Sequence, residues 1–279
     1  MPNIQAKIYV GFELECAELS SNALRIINTE HFLARHDGSV TSPFGEPLPS
    51  SREIITLPIE VDVTANQDGN NIQLNLAAVE SSLRALCKCA SEVNASCGFH
   101  VHLGRPGNEQ SSWGCPKSDW GPERSRTMLV IGSFLEKQLY ELCPPSRMRS
   151  AYCVPIKQSY TRNELCSYYP VGAKLPDNKY DCHKRRCWLN LVETRRHGSD
   201  ERLLYGRSLG LGTIEIRMLG NVRRFDYIYS WAKLWLKIAA YVAYLPSSLA
   251  ILHCVVANSI ENEINEVARL KDEKTVELS

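Results

Sequence analysis

Three short stretches of this sequence set ionisable side chains two residues apart: Glu13 and Glu15 in GFELE, His100 and His102 in CGFHVHLG, Glu215 and Arg217 in GTIEIRMLG. Along an extended strand, side chains alternate, so residues two apart share a face at about 6.5–7 Å. Interleaved with them are Ile8, Val10, Phe12 and Leu14, then Phe99, Val101 and Leu103, then Ile214, Ile216 and Met218. Each stretch therefore reads as a strand with an apolar row inside and paired ionisable groups outside. Three carboxylates and two imidazoles are a ligand set for hard or borderline divalent ions such as Mg²⁺ and Mn²⁺. A merely solvated sheet face would also carry Glu and Arg, but it accounts poorly for two histidines inside a short Gly-flanked run. The joint reading is a metal site.

The elements that must position these groups follow from the same patterning. Residues 7–16, 33–40, 52–61, 97–103, 186–193 and 212–219 are short, rich in β-branched and aromatic residues, and bounded by Gly, Pro or Asp, which predicts strands. Residues 75–93, 126–142, 226–245 and 259–271 complete the pattern as helices, the first with Leu76, Val79, Leu83 and Leu86 at helical spacing. The irregular alternation predicts an α+β fold: a mainly antiparallel curved sheet with helices packed on one side. A single catalytic domain over 1–279, with a helical C-terminal part at 226–279, is expected. Segments 104–123 and 155–186 show no period, and loops of that length are usually functional or disordered.

Composition sets the outer bounds. Apolar residues make up 44% and charged residues 23% of the 279, with a formal net charge of +1. That is ordinary for a globular protein and gives no field that by itself implies nucleic acid or a membrane. The odd count of eleven scattered cysteines, with no signal-peptide core at the start, predicts reduced thiols in a cytoplasmic protein. Cys87/Cys89 and Cys182/His183/Cys187 lack the paired Cys-x-x-Cys spacing of a structural zinc site. The apolar stretch 238–257 contains Pro246 and His253 and reads as two packed helices rather than a membrane span.

The order GFELE, HDGSV with a following REII, CGFHVHLG, PPSRMRSAYC and GTIEIRMLG resembles the glutamine synthetase and γ-glutamylcysteine ligase superfamily. More narrowly it is similar to the amidoligases found in phage, bacterial and fungal genomes. The resemblance spans about 11–220 and implies a fold like the glutamine synthetase catalytic domain, acting in the cytoplasm, a host cytoplasm for a phage-borne copy. It implies ATP and two or more Mg²⁺ or Mn²⁺ ions held between strands. Glu13 and Glu15 would ligate different ions, with Glu53 joining one and His100 and Glu215 the other. His102 would lie near the nucleotide phosphates and Arg217 would steady the transferred phosphoryl group. Arg147, Arg149 and Arg186 are further candidates for phosphate contact, and Arg217 and Glu53 are the candidate catalytic residues. Glutamine synthetase supplies two further carboxylates to the first ion from one segment, whereas only Glu53 matches clearly here. Asp37 either takes the other place or caps a turn, as Asp-Gly often does.

The activity so implied joins a carboxylate to an amine, on small-molecule or peptide substrates, through an acyl phosphate. No GxxxxGK[ST] loop is present, so a nucleotide would need a metal-rich sheet instead. Two other readings use the same residues: a metal-dependent hydrolase, for which the remaining histidines sit in poor strand contexts, and a non-catalytic binding protein. The acid, the amine and the oligomeric state are not written in the sequence.

Overall fold

The computed structural model describes residues 4–21, 23–27, 32–42, 44–65, 72–110, 116–145, 147, 150–151, 153–160, 186–191, 213–220, 222–244 and 259–276. The first half of the chain forms β1 (Ile4–Cys16), β2 (Glu18–Leu19), α1 (Ala23–Ile27), β3 (Phe32–His36), β4 (Arg52–Thr56), β5 (Ile59–Ala65), β6 (Ile72–Leu74), α2 (Ala77–Cys89) and β7 (Ala90–Glu92). There follow β8 (Gly98–Gly104), β9 (Pro106–Gln110), β10 (Pro116–Ser118), α3 (Gly121–Glu141), α4 (Ile156–Ser159), β11 (Leu189–Asn190), β12 (Ile214–Gly220), α5 (Phe225–Tyr244) and α6 (Glu261–Val276).

Eight strands make one open sheet along the path β11-β12-β8-β1-β4-β3, with β5 and β6 joined through β1. Every ladder among the described strands is antiparallel. The long strand β1 is the hub. One edge pairs with β8 from Tyr9 to Leu14, while the other pairs first with β5 (Ile4–Val10) and then with β4 (Glu13–Cys16).

The alternating rows bury as their periodicity requires. Ile8, Val10, Phe12, Phe99, Val101, Leu103, Ile214, Ile216 and Met218 are sealed in a single core with Val79, Leu83 and Leu86 of α2 and Trp231 and Trp235 of α5. Phe12 stacks on Phe99, and Trp188 packs against Trp235. Fully burying such side chains contributes about 1.5–3 kcal/mol each, so the apolar rows fix which sheet face meets the helices. The opposite face is left to the ionisable groups.

Several boundaries differ from the sequence reading, each for a local reason. The segment 52–61 is two strands broken at Leu57-Pro58, because proline has no N–H for the ladder. The amide of Phe12 opposite the break is satisfied by Thr56 Oγ1 at 2.9 Å. The strand expected over 33–40 ends at His36, where Asp37 accepts hydrogen bonds from the Ser39 amide and hydroxyl, both at 2.8 Å, and turns the chain. Within 104–123 the chain forms the β9–β10 hairpin, and Pro122 in the first turn starts α3 earlier than 126. Most of 155–186 lies outside the described residues, as does 245–258. No helix among the described residues is long and apolar enough to cross a membrane.

Candidate active site

Register brings the ionisable groups together. β1 and β8 set Glu13 opposite His100, and β1 and β4 set Glu15 opposite Glu53. His102 opposes Glu215 across β8 and β12. The edges add two residues: Arg35 opposes Glu53, and Asn190 opposes Glu215. Directly opposed residues share a face, so a polar band crosses six strands.

His100 lies at its centre and is buried. Its Nδ1 is 2.8 Å from Glu13 Oε1 and 3.3 Å from Glu215 Oε1, and its Nε2 is 3.8 Å from Glu15 Oε1. His102, more open, has Nε2 3.4 Å from Glu13 Oε2 and Nδ1 3.4 Å from Thr213 Oγ1. Arg217 Nε is 3.3 Å from Glu215 Oε1. The outer carboxylate oxygens are anchored separately: Asn190 Nδ2 donates to Glu215 Oε2 at 2.7 Å, and the Gly98 amide donates to Glu15 Oε2. Arg35 grips Glu53 through Nε and Nη2 at 2.8 and 2.6 Å, the paired geometry a guanidinium allows. Gly98 admits no side chain, since a Cβ there would come within 2.6 Å of His100 Nε2.

The sheet itself is shaped around Arg217. Between Ile216, opposite Val101, and Leu219, opposite Phe99, β12 carries one extra residue. Bulges of this kind re-aim side chains next to active sites. This one is braced by the buried Arg147, whose Nη2 donates to the Arg217 carbonyl at 2.8 Å and whose Nε reaches the Met218 carbonyl at 3.4 Å. Gly220 makes room for that guanidinium, as a Cβ there would lie 2.6 Å from Arg147 Nε.

Burial opposes ionisation of Glu13, but the charge and hydrogen bonds of His100 and His102 hold its carboxyl well below the usual range. Burial likewise opposes ionisation of Glu215, and Arg217 followed by the two histidines outweighs it, so that carboxyl is lowered too. Glu15 is raised by burial, only partly offset by His100. Glu53 is pushed up to about 7 by burial, against the pull of Arg35 and with the neighbouring Glu13 adding to the rise. The imidazole of His100 is disfavoured as a cation by burial, yet the Glu13 carboxylate carries it above its ordinary value.

These residues fit a divalent cation. Glu13, His100 and Glu215 each offer a ligand atom, all within 4.8 Å of one another. Four carboxylates crowd one buried strip, and two of them, Glu15 and Glu53, are held toward the protonated form. Burial is the main cause of that rise, with the neighbouring Glu13 carboxylate adding to it in both.

The structure thus brings Glu13, Glu15, Glu53, His100, His102, Glu215 and Arg217 onto one face. Arg147 lies behind the bulge with its guanidinium turned to backbone carbonyls, Arg186 is exposed on the turn before β11, and Arg149 falls outside the described residues. Asp37 is engaged by Ser39 in its turn. Sequence reasoning passed over Arg35 and Asn190. Each is a single polar residue in a short strand, visible only once the register is known. The seven described cysteines are free and raised by burial, Cys16 and Cys187 to about 12 and Cys89 to about 11. None joins a metal-ligand cluster among the described residues.

The fold class is a mixed α/β one: a mainly antiparallel open sheet with a buried carboxylate–imidazole–guanidinium band on one face and helices on the other. A protein-family profile described as "Putative amidoligase enzyme" matches residues 67–237, more than half of the chain, and the chain belongs to that amidoligase family. The matched span contains His100, His102, Asn190, Glu215 and Arg217, whereas Glu13, Glu15, Arg35 and Glu53 lie N-terminal to it. No curated protein matches the chain significantly. Family membership marks a ligase-type enzyme.

Proposed function

We propose that this amidoligase is an ATP-dependent carboxylate–amine ligase that activates its acid as an acyl phosphate. The observation that carries the reading is the convergence of Glu13, His100 and Glu215 within ligand distance of one another, with Arg217 on the same carboxylate. A carboxylate at neutral pH resists an amine, because its charge repels the nucleophile and oxide is a poor leaving group. Transfer of a γ-phosphoryl group removes both obstacles, and it asks the protein mainly for positioning and charge neutralisation.

In this reading Glu13, Glu15, Glu53, His100 and Glu215 would hold Mg²⁺ or Mn²⁺, which supplies charge neutralisation on phosphate oxygens. Arg217, steered by the β12 bulge and steadied by Glu215, presents a planar fork to the transferred group, which a lysine cannot imitate. His102, at the open side of the band between Glu13 and Thr213, would lie near the phosphate chain. Arg35 neutralises Glu53 and keeps the crowded carboxylates in place.

Calorimetry of Mn²⁺ and ATP with wild type, Glu13→Ala and Arg217→Lys tests this. Glu13→Ala abolishes metal-dependent nucleotide binding while the fold survives with a loss of about 1–3 kcal/mol, since it leaves the buried His100 without this partner but spares the apolar core on the other sheet face. Arg217→Lys keeps nucleotide affinity and lowers turnover about 10²–10³-fold, read as ADP release over amino-acid and polyamine mixtures. Undiminished metal-dependent binding in Glu13→Ala sinks the reading. With ¹⁸O-labelled acid, one labelled oxygen moves into phosphate; label in AMP instead means an acyl adenylate.

A further inference from the structure

Both backbone polar groups of Arg217 are held by residues outside β12. Its amide donates to the Trp188 carbonyl at 2.7 Å, and its carbonyl accepts from Arg147 Nη2 at 2.8 Å. The two holders share a root in α3. Trp188 is fixed through its indole N–H, which donates to the buried Glu136 at 2.7 Å. Its ring packs so tightly on α3 that a Cβ at Gly132 would come within 3.0 Å of it. Arg147 follows α3 on a turn in which its own amide donates to the Pro144 carbonyl at 2.9 Å. A clamp on both sides of one residue fixes the backbone from which its side chain departs.

Arg147 is only 3% exposed, and no carboxylate among the described residues pairs with it. Burying a cation without a counter-ion is costly, so the contacts it does make are informative. They are the carbonyls of Arg217 and Met218, the two residues of the bulge. Hydrogen bonds from a charged donor are roughly twice as strong as neutral ones. Register supplies the room, because Gly98 and Gly220 oppose each other across β8 and β12. A Cβ at Gly98 would lie 3.2 Å from Arg147 Nη2, and one at Gly220 would lie 2.6 Å from its Nε. Two opposed glycines thus open one recess for one guanidinium.

We propose that Arg147 is a positioning residue for the transfer step: by gripping the bulge carbonyls it sets where the Arg217 guanidinium points, and it acts through Arg217 rather than on substrate. The proposal rests on the ligase reading above and replaces the phosphate contact that the family resemblance implies for Arg147. A lysine would keep the charge beside the band but could not span two successive carbonyls. Field and geometry are therefore separable by experiment.

Arg147→Lys, Gly220→Ala, Arg217→Lys and the double variant Arg147→Lys/Arg217→Lys, compared with wild type, provide the test. Gly220→Ala keeps Arg147 but drives its guanidinium off the carbonyls, and it decides the matter if Arg147→Lys does not fold. In ligand-free protein labelled with ¹⁵N-arginine, the Arg217 Nε–H resonance, assigned by its loss in Arg217→Lys, shifts in Arg147→Lys and in Gly220→Ala. In both, Mn²⁺–ATP affinity by calorimetry stays within about twofold of wild type, while ADP release falls up to about 10²-fold, the cost of misplacing a group by an ångström. In the double variant ADP release is no lower than in Arg217→Lys alone, because residues that act as one unit are not additive. An unmoved Arg217 resonance, or losses that multiply in the double variant, overturns the proposal and leaves the ligase reading standing. Loss of Mn²⁺–ATP affinity in Gly220→Ala and Arg147→Lys also overturns it, because Arg147 then serves binding. Wild type without metal-dependent ADP release overturns both.

Discussion

Asn190→Ala probes whether the band is organised to hold an ion or merely packed. The substitution removes the 2.7 Å hydrogen bond from Asn190 Nδ2 to Glu215 Oε2, both residues buried. A hydrogen bond to a charged group contributes about 1.5–3 kcal/mol, which bounds the loss of stability. Affinity depends on where Glu215 goes once released. Its ligand atom and that of Glu13 lie within 4.8 Å, so at an effective dielectric of about 20 their repulsion is at least about 3.5 kcal/mol. Arg217 at 3.3 Å attracts by about 5 kcal/mol on the same scale. His100 Nδ1, also 3.3 Å from Glu215 Oε1, adds to the attraction, so Glu215 is not expelled but is free to rotate about these two contacts. Loss of an orienting partner typically lowers metal affinity 10–100-fold, and the Arg217 tether places this case near tenfold. Mn²⁺ titration by calorimetry, with unfolding followed in parallel, measures both quantities. Affinity within twofold of wild type alongside a lowered melting temperature would refute the argument, because Asn190 would then serve packing only.

Two further outcomes are expected. Since Glu13 holds the His100 proton above the ordinary imidazole value, Mn²⁺ binding must displace that proton, and affinity rises with pH through and above about 6.5. Calorimetry in two buffers of different ionisation enthalpy reads the released proton directly, and identical heats in both would contradict it. The folded protein should also resist alkylation at pH 8 at Cys16, Cys87, Cys89, Cys97, Cys143, Cys153 and Cys187, because burial raises every one of these thiols. All seven become reactive on unfolding in urea, and mass mapping of rapid labelling in the native state at any of them would show the burial argument to be wrong.

The apolar rows of β1, β8 and β12 were legible in the sequence because a period of two leaves no other face for Glu13, His100 or Glu215. What alternation does not encode is which strand lies beside which. That is why Arg35 and Asn190, each meaningful only through the residue opposite, went unread. Pro58 was visible but passed over inside an otherwise strand-like run, although a missing N–H argues for a break. The bulge at Arg217–Met218 also hides from pattern reasoning, since Glu215-Ile216-Arg217 alternates perfectly until Arg147 and the Phe99–Val101 register are in view.

The forked pairing of β1 has a consequence for the chain while it is being made. β1 can dock on β4 and β5 as soon as residue 65 is available, but its opposite edge waits for β8, and β8 in turn waits for β12. At synthesis rates of about 5–20 residues per second, the interval between completing Gly104 and completing Gly220 is roughly 6–23 s. Throughout that interval Glu13, Glu15 and Glu53 share a face with His100 but without Glu215 or Arg217. A ribosome-bound chain stalled before Ile214 thus carries most of the carboxylates of the band and lacks the Arg217 guanidinium. The polar band of the nascent protein stays incomplete until its last central strand slides into place.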